Sequence, residues 1–502
     1  MKKAVFFLVL FLLMIALAAC GGQSNEVAYY EYIPELVEEP GAEACDENII
    51  EEGLTGPGED VSQAAIHYEN LAKLGKVWGF AKYTHHSFIT GAKCWDAELL
   101  RLIPIIHSAH PADVNGILYE WLIGLDDDGY DFEYGHETFP NSTMATMQDA
   151  QYLRAAVDLA WINSDFLGEP LAARLLRFNG ITTTDRSNAP VFFDGIGNSV
   201  FANQDSHEHM NFGDIDYRLL GLFRMWNAML YFYPNMDIID YCWSASLLEF
   251  IPIMLEGTSR VDYINTLISL ARRLDDAHVF IGERSTHALE WFNFHEITSS
   301  HVLLENNIGL INPLDGLFSW GETRYIMEAF ADTAGLIIDL RQYPCFSIVY
   351  ELAEYLVEEP TRFVMISSPH QSFPGSFVYS PPTGLCSGGI TSPYAFFYDR
   401  PVVILMNRGT MSRGEFAVMS LRNGRNVTVM GSNSIGANGN VAFLPLPGGE
   451  RMMFTGLGIF TPDGGQTHRI GLAPDIRIVP ARGTGDDRDV LIEAAIRHIL
   501  GE

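Results

Sequence analysis

The sequence predicts an α+β or α/β protein in which a duplicated helical region precedes an α/β core. Three observations support this fold class. An internal repeat with helical spacing occupies residues 64–290, short β-rich runs alternate with helical segments after Gly309, and a last helix opens at Asp489. Helices packed on a sheet built from alternating strands and helices bury the apolar faces of both.

The internal repeat predicts two related helical units, residues 64–200 and 201–300. The segments KVWGFAKYTHHSF and CWDAELLRLIPII return as RMWNAMLYFYPNM and CWSASLLEFIPIM at a constant offset of 148 residues. Apolar and aromatic residues at three- and four-residue spacing indicate amphipathic helices whose aromatic stripe packs in a core. The same offset places Tyr130 of the first copy opposite His278 of the second.

The remaining residues, 301–502, predict an α/β domain. Its β-rich runs are IGLIN, AGLIIDLR, FVMISS, RPVVILMN, NVTVMG and PDIRIVP. Helical patterns at residues 346–358 and 412–423 separate some of these runs, which is typical of strands joined by helices. A stretch rich in Gly, Pro and Ser at residues 369–392 predicts a long surface loop, and loops of that length in compact domains are usually functional.

The first 20 residues have the pattern of a lipoprotein signal peptide. Lys2 and Lys3 precede an apolar run that ends in Leu-Ala-Ala-Cys20, and the run is too short for a spanning helix of about 20 residues. We expect lipidation of Cys20 and an extracytoplasmic protein anchored to the bacterial cell membrane. An uncleaved N-terminal anchor is the alternative. Residues 21–63 are acidic and punctuated by Gly and Pro, which predicts a flexible tether.

Composition excludes several kinds of partner. The chain has 502 residues and is 48% hydrophobic, enough for large cores, but its formal net charge of −32 disfavours nucleic acid and anionic lipid surfaces. Five cysteines follow Cys20, an odd number without CxxC spacing, so no disulfide framework or zinc site is predicted. The pairs His85-His86 and His207-x-His209 lack further ligands at useful spacing. We therefore expect neither a metal nor another cofactor.

The segment RPVVILMNRGTMSRGEFAVMSLRNG predicts a buried strand, a tight loop and a helix that starts at Ser412. A serine in this place has its hydroxyl beside unpaired backbone N–H groups, where an oxyanion is stabilised. The same residues also form a capping box, in which Ser412 accepts from the helix backbone and Glu415 reaches back to it. The segment alone leaves both interpretations open.

This segment resembles the nucleophile region of tail-specific, or C-terminal processing, serine peptidases, in the branch that includes the tricorn protease core. Further similar segments follow in the family's order: AGLIIDLRQYP, GSNSIGANGN, LPGG, FTGLGIFTPDG and IGLAPDI. Together they cover roughly residues 305–500. An ordered set of this kind is far more specific than any one motif. The resemblance implies a crotonase/ClpP-like core that cleaves peptides or proteins with Ser412 as nucleophile.

The resemblance also implies how the serine is activated. One branch of the family carries a lysine in the Gly-rich loop, but residues 434–439 read SIGANG. The tricorn-like branch uses an upstream histidine, and Asp276-Ala277-His278 matches that segment. A histidine titrates near working pH and suits a general base. The alternative is that His278 is a buried core histidine whose hydrogen bonds are made within the protein. Tyr130 at the matching position of the first copy indicates that the turn itself does not require a histidine.

Two features depart from the family's pattern. The branch places a serine before the histidine and a glutamate near the G-x-x-P-D element, and this chain has Ala277 and His468 there. His468, Gln466 and Glu415 are the side chains left to support the site by hydrogen bonds. The PDZ-like domain of many members also has no room, since only 30 residues separate His278 from Ile308. Substrates would then be recognised by the helical repeat or the 369–392 segment.

The resemblance and the helix dipole together imply backbone donors for an oxyanion. These are the Arg413 N–H and an amide of the Gln342–Cys345 loop, in which Pro344 has no hydrogen to donate. Three hypotheses follow for the chain. It is a serine endopeptidase that forms an acyl-enzyme, an inactive descendant that binds peptides or proteins without cleaving them, or a carbohydrate-binding surface lipoprotein, which rests on aromatic content alone.

Overall fold

The computed structural model describes residues 59–126, 152–155, 157–178, 185–282, 297–314, 317–318, 321–386, 396–478 and 487–502. The signal peptide, Cys20 and Tyr130 lie outside the described residues. None of the helices in these ranges combines the length and apolar character needed to cross a membrane.

Helices dominate the part of the chain before residue 280. They are α1 Glu59–Thr84, α2 His86–Ile89, α3 Trp95–Ser108, α4 Pro111–Asp126, α5 Ser164–Leu167, α6 Glu169–Leu176, α7 Ile215–Phe232, α8 Trp243–Glu256 and α9 Arg260–Ala271. Three short strands accompany them: β1 Tyr152–Ala155, β2 Phe192–Phe193 and β3 Ser199–Val200. Since α1 begins at Glu59, the end of the predicted tether is helical.

The two copies of the sequence repeat form helix pairs with matching contacts. Trp78 on α1 donates its indole N–H to the Trp95 carbonyl at the start of α3, at 2.9 Å. Trp226 on α7 donates in the same way to the Trp243 carbonyl at the start of α8, at 3.0 Å. Both indoles are buried, and a buried indole N–H needs such an acceptor. The repeated tryptophans thus hold each pair of helices at the same point.

The rest of the chain contains most of the strands. They are β4 Phe280–Gly282, β5 His301–Leu303, β6 Ile308–Ile311, β7 Gly335–Asp339, β8 Thr361–Pro369, β9 Ser376–Tyr379, β10 Thr383–Cys386, β11 Val402–Met406, β12 Val427–Gly431, β13 Val441–Pro445, β14 Arg451–Thr455, β15 Gly458–Phe460 and β16 Ile476–Arg477. The accompanying helices are α10 Glu322–Ala329, α11 Ile348–Glu351, α12 Ala353–Leu356, α13 Arg413–Leu421 and α14 Asp487–Leu500.

The main sheet has the strand order β16-β12-β11-β7-β6-β5, parallel except for β5. Strands β7 and β11 are buried at every residue, as expected for a parallel sheet covered on both faces. One face packs on helices α10 to α13 and the other on α14. Because parallel strands end at one edge, the segments after β7, β11 and β12 meet there, where α/β proteins place their ligands.

A second, three-stranded sheet joins the two parts of the chain. Its order is β13-β14-β4, and β4 pairs antiparallel with β14 through Met453 opposite Phe280. Ala442 and Phe454 of this sheet belong to the same hydrophobic core as Trp226 of the helical region. The helical region therefore delivers the segment around His278 to the edge of the C-terminal part.

The segment 369–392 is more ordered than the sequence predicts. Strands β8 and β9 pair with each other, β9 also pairs with β1, and β10 pairs with β8. Phe373 and Phe377 are buried. The prediction of a long surface loop is therefore wrong for this part, because alternating aromatic residues among the Gly and Pro residues form a paired strand. Residues 387–395 lie outside the described part.

Candidate active site

Ser412 stands at the carboxyl edge of the main sheet, between the central strand β11 and helix α13. The turn before it is fixed by Thr410, whose hydroxyl donates to the Leu340 carbonyl after β7 at 2.8 Å. Gly409 approaches the Arg341 carbonyl so closely that a Cβ would lie 2.7 Å from that oxygen. Only glycine fits there. The predicted strand, tight loop and helix are confirmed.

The backbone of Ser412 is strained. Its φ of 52° and ψ of −116° lie where residues with a side chain rarely occur. A hydrogen bond of 2.7 Å from its N–H to the Ala437 carbonyl holds it in place. Such a conformation costs about 1–3 kcal/mol and persists where the surrounding structure imposes it, commonly at functional sites.

Glycine at position 412 should reveal this strain. We expect Ser412→Gly to be more stable than Ser412→Ala by about 1 kcal/mol, because glycine adopts a positive φ without a Cβ clash. Urea unfolding of the two variants, compared with wild type, measures the difference. Equal stability, or a more stable alanine variant, would show that Ser412 does not hold a strained backbone.

Glu415 lies buried beneath Ser412 and accepts hydrogen bonds from four donors. One carboxylate oxygen accepts from Ser434 Oγ at 2.5 Å and Gly436 N at 3.0 Å, and the other from Ala437 N at 3.0 Å and Ser412 N at 3.3 Å. Burial raises its pKa to about 7, although these donors lower it. Glu415 thus fixes the Gly-rich loop against the start of α13.

His278 is held by the turn that leads from α9 into β4. The Asp276 carboxylate accepts from the His278 backbone N–H at 2.9 Å, which fixes the turn. The ring atom Nδ1 lies 2.8 Å from Thr455 Oγ1 at the end of β14. The other ring nitrogen, Nε2, is buried and has no hydrogen-bond partner. One nitrogen is therefore fixed to the protein and the other is left available.

Electrostatics keep the imidazole neutral. Burial lowers the pKa of His278; Asp276 acts in the opposite direction, and His468 adds to the lowering. Burial alone would raise the pKa of Asp276, but His468, His278 and backbone N–H groups bring it below its ordinary value. A neutral histidine beside an ionised aspartate is the arrangement that a general base needs.

Two short bridges connect Ser412 with the His278 segment through the Gly-rich loop. Ser412 donates to the Ala437 carbonyl, and three residues further on the Asn440 carbonyl accepts from the Gly456 N–H at 2.8 Å. Gly456 follows Thr455, the partner of His278. The serine and the histidine thus flank one loop. Since His278 Nε2 makes no hydrogen bond, it does not contact Ser412 Oγ in this structure.

Ser412 lies in a region that matches a known peptidase family. Residues 318–478 match the model described as Peptidase family S41. The chain contains a peptidase family S41 domain. Ser412, Glu415, Thr455 and His468 all lie within the S41 domain, whereas His278 precedes it.

Individual proteins resemble this chain at low sequence identity or over short segments. A carboxy-terminal-processing protease of Bartonella bacilliformis is 30% identical over 108 residues, which are 21% of this chain and 25% of that protein. This chain therefore matches a quarter of the length of that protease. A crystal structure of a candidate peptidase from Parabacteroides merdae has a TM-score of 0.46 at 20% identity, covering 57% of this chain and 96% of that one. A lipoprotein from Streptococcus agalactiae covers the same shares, with a TM-score of 0.39 and 14% identity.

His468 and Gln466 of the S41 domain face the helical region. His468 Nε2 lies 2.8 Å from the Tyr233 hydroxyl, and Gln466 accepts from the His468 backbone N–H at 2.9 Å. Burial lowers the pKa of His468. Its other ring nitrogen is buried without a partner. His468 therefore acts on Asp276 and His278 through its charge only when it is protonated, and it makes no hydrogen bond to His278.

Arg413 contacts the loop that follows β7. The Arg413 guanidinium donates to the Pro344 carbonyl at 3.1 Å and lies 5.0 Å from the centre of the Tyr343 ring. The Cys345 N–H donates to the Pro313 carbonyl at 2.6 Å, which removes it from the predicted oxyanion donors. Pro344 of the same loop has no N–H to donate.

The histidine pairs considered as metal ligands have other roles. His85 Nε2 lies 3.0 Å from Asp126, and His207 Nε2 lies 3.2 Å from Asp96, which also binds Arg224 at 2.6 Å. Within the described ranges, no group of three or more His, Cys, Asp or Glu residues is arranged to hold a metal ion. These histidines pack the helical region.

Thr455 and Asp276 are the site residues that the sequence does not point out. The match of Asp276-Ala277-His278 to the family segment gives Asp276 no role of its own, and Thr455 ends the strand RMMFT without any motif. The one available signal is the polar threonine at the end of this strand, directly before the GLG turn. Thr455 lies 177 residues from its partner His278 along the chain, which no local pattern reveals.

Proposed function

We propose that this protein is a serine endopeptidase in which Ser412 is the nucleophile and His278 the general base. The observation that carries the proposal is the strained Ser412 at the start of α13, on the S41 domain, joined through the Gly-rich loop to the segment of a buried histidine whose Nε2 has no partner. Backbone strain at the half-buried Ser412 and an unused basic nitrogen both cost stability, and a catalytic role accounts for both.

The reaction would proceed through an acyl-enzyme. His278 Nε2 accepts the Ser412 hydroxyl proton while Oγ attacks the peptide carbonyl carbon. The Arg413 N–H and an amide after β7 stabilise the oxyanion, aided by the positive end of the helix. The protonated imidazole then transfers its proton to the leaving amine. Water, deprotonated by the same nitrogen, releases the acyl group and restores the serine.

Substrate binding would have to complete the hydrogen bond between the two residues. In the free protein His278 Nε2 is buried and unpartnered, so Ser412 Oγ has to approach it as the site closes. Catalytic hydrogen bonds are often loose without substrate and tighten in the complex. The Gly-rich loop, which contacts both segments, is the element whose small displacement would close the gap.

A fluorophosphonate probe tests the nucleophile. We expect wild-type protein to be labelled at Ser412, identified by peptide mass spectrometry, and Ser412→Ala to remain unlabelled. Ser420→Ala is the matched control, since it removes a buried hydroxyl from the same helix that donates to the Val349 carbonyl at 2.9 Å. Labelling that persists in Ser412→Ala, or is lost equally in Ser420→Ala, would refute the assignment.

A second candidate is an inactive descendant that binds peptides or proteins without cleaving them. The missing contact between His278 Nε2 and Ser412 Oγ favours it. His468 also stands where the tricorn-like branch has a glutamate. This candidate predicts no labelling at Ser412 in folded protein, together with saturable binding of peptides at the carboxyl edge of the main sheet.

We also propose that the protein acts outside the cytoplasm, anchored by a lipid on Cys20. The lipobox and the preceding short apolar run support this location. The labelling experiment extends to it: in whole cells the labelled band should sediment with membranes, and Cys20→Ser should release it. A soluble wild-type band would exclude the anchor.

The matching tryptophan contacts support a duplicated helical region.

A further inference from the structure

The sequence does not show which residue orients His278 as the third member of the proposed catalytic triad. His468 bonds to Tyr233 and does not reach His278. The Asp276 carboxylate is close to His278 Nδ1, but at 3.8 Å it is beyond hydrogen-bond distance. Thr455 Oγ1 fills this gap, 2.8 Å from Nδ1 and 3.0 Å from Asp276 Oδ1.

Counting protons fixes the direction of these two hydrogen bonds. An ionised carboxylate only accepts, so the Thr455 hydroxyl donates its one hydrogen to Asp276. Its oxygen must then accept from His278, which places the ring hydrogen on Nδ1 and leaves Nε2 unprotonated in the neutral ring. That is the tautomer in which Nε2 can take a proton from a serine hydroxyl.

The three residues are also held rigidly. Asp276 accepts from the backbone N–H groups of both neighbours, His278 at 2.9 Å and Thr455 at 2.9 Å. All three are buried, and the pairing of β4 with β14 fixes their backbones relative to each other. Thr455 is β-branched, which restricts its side-chain rotation. Water is thus excluded from the path between the carboxylate and the ring.

We propose that Asp276 and Thr455 are positioning residues that together take the place of a single carboxylate, acting on His278 through the threonine hydroxyl. This rests on the proposed function, in which His278 is the base. The carboxylate aligns the hydroxyl, the hydroxyl selects the Nδ1–H tautomer, and both stabilise the imidazolium that forms when Nε2 takes the serine proton. Positive charge on His468 would oppose that step.

The test compares Thr455→Val, which keeps the shape but removes the hydroxyl, with Thr455→Ser, which retains it. Nitrogen NMR of ¹⁵N-histidine-labelled protein reports the tautomer of His278, whose signals are assigned by their loss in His278→Gln. We expect the Nδ1–H tautomer in wild type and Thr455→Ser, and loss of that preference in Thr455→Val. The rate of fluorophosphonate labelling should fall about 10- to 100-fold in Thr455→Val only.

Thr333→Val is the matched control, since it removes a buried hydroxyl that donates to the Phe330 carbonyl of the S41 domain, outside the site. An unchanged tautomer in folded Thr455→Val would overturn the proposal, as would a loss in labelling that Thr455→Ser shares. If wild type is not labelled at all, the proposed function fails, yet the tautomer still tests the hydrogen-bond relay independently of activity.

Discussion

Replacement of His278 by alanine should lower the rate of Ser412 acylation by about 10⁴-fold at neutral pH. Without an acceptor at Nε2, the serine hydroxyl would have to lose its proton to water within a closed site. The positive end of α13 and the backbone amides remain, so a small residual rate should persist. Burst kinetics with an activated ester, followed by stopped flow, measure acylation separately from later steps.

His468→Ala is the informative comparison because a second buried histidine lies in the same neighbourhood. Its Nε2 bonds to Tyr233, and it affects His278 only through charge. We expect the His468 variant to retain acylation within about 10-fold of wild type. A larger loss in His468→Ala than in His278→Ala would mean that the base is His468 and that His278 has a structural role.

The location of Ser412 was predictable because its determinants are local. A run of β-branched and aliphatic residues, a tight turn with Gly409, and the Ser-x-x-Glu pattern specify strand, turn and helix in one short segment. The S41 domain match agrees with the family resemblance at the level of the domain. The tricorn-like branch remains a prediction.

The proposed role of Thr455 was not predictable, since it depends on a pairing between distant segments. Strand β4 has only three residues and no distinctive pattern, yet its pairing with β14 brings His278 to Thr455. Strand β9 was missed for a related reason: Gly and Pro residues indicate a loop, whereas Phe377 becomes buried only once β1 and β8 are in place. Tertiary pairing overrides local propensity in both cases.

The proposed site draws its residues from two parts of the chain, so a fragment with only one of these parts would lack Ser412 or His278. Ser412 belongs to the S41 domain, while His278 arrives from the helical region on β4. Arg469 of the S41 domain forms ion pairs with two aspartates of the helical region. Its guanidinium binds Asp240 and, at 2.9 Å, Asp275 next to the His278 turn. In the proposed function, the helical region therefore supplies the general base as well as a scaffold.

Replacement of Glu415 by alanine should lower the free energy of unfolding by about 3–5 kcal/mol. The change leaves the Ser434 hydroxyl and the Gly436 and Ala437 N–H groups without their acceptor, and buried unpaired donors are costly. Chemical denaturation measures the loss. Glu328→Ala is the matched control, because Glu328 is an exposed helical glutamate bonded to Arg324 and should cost at most about 0.5 kcal/mol.

The pH dependence of this loss identifies the carboxyl group as its cause. The pKa of Glu415 is raised from 4.5 to about 7 in the folded state, so folding binds a proton between these values. Its stabilising contribution is then fully present below about pH 4.5 and is lost as pH rises through about 7. The difference in stability between wild type and Glu415→Ala should therefore be larger at pH 5 than at pH 8. A difference that grows toward pH 8 would mean that Glu415 is already ionised when the protein folds, and that its four donors outweigh its burial.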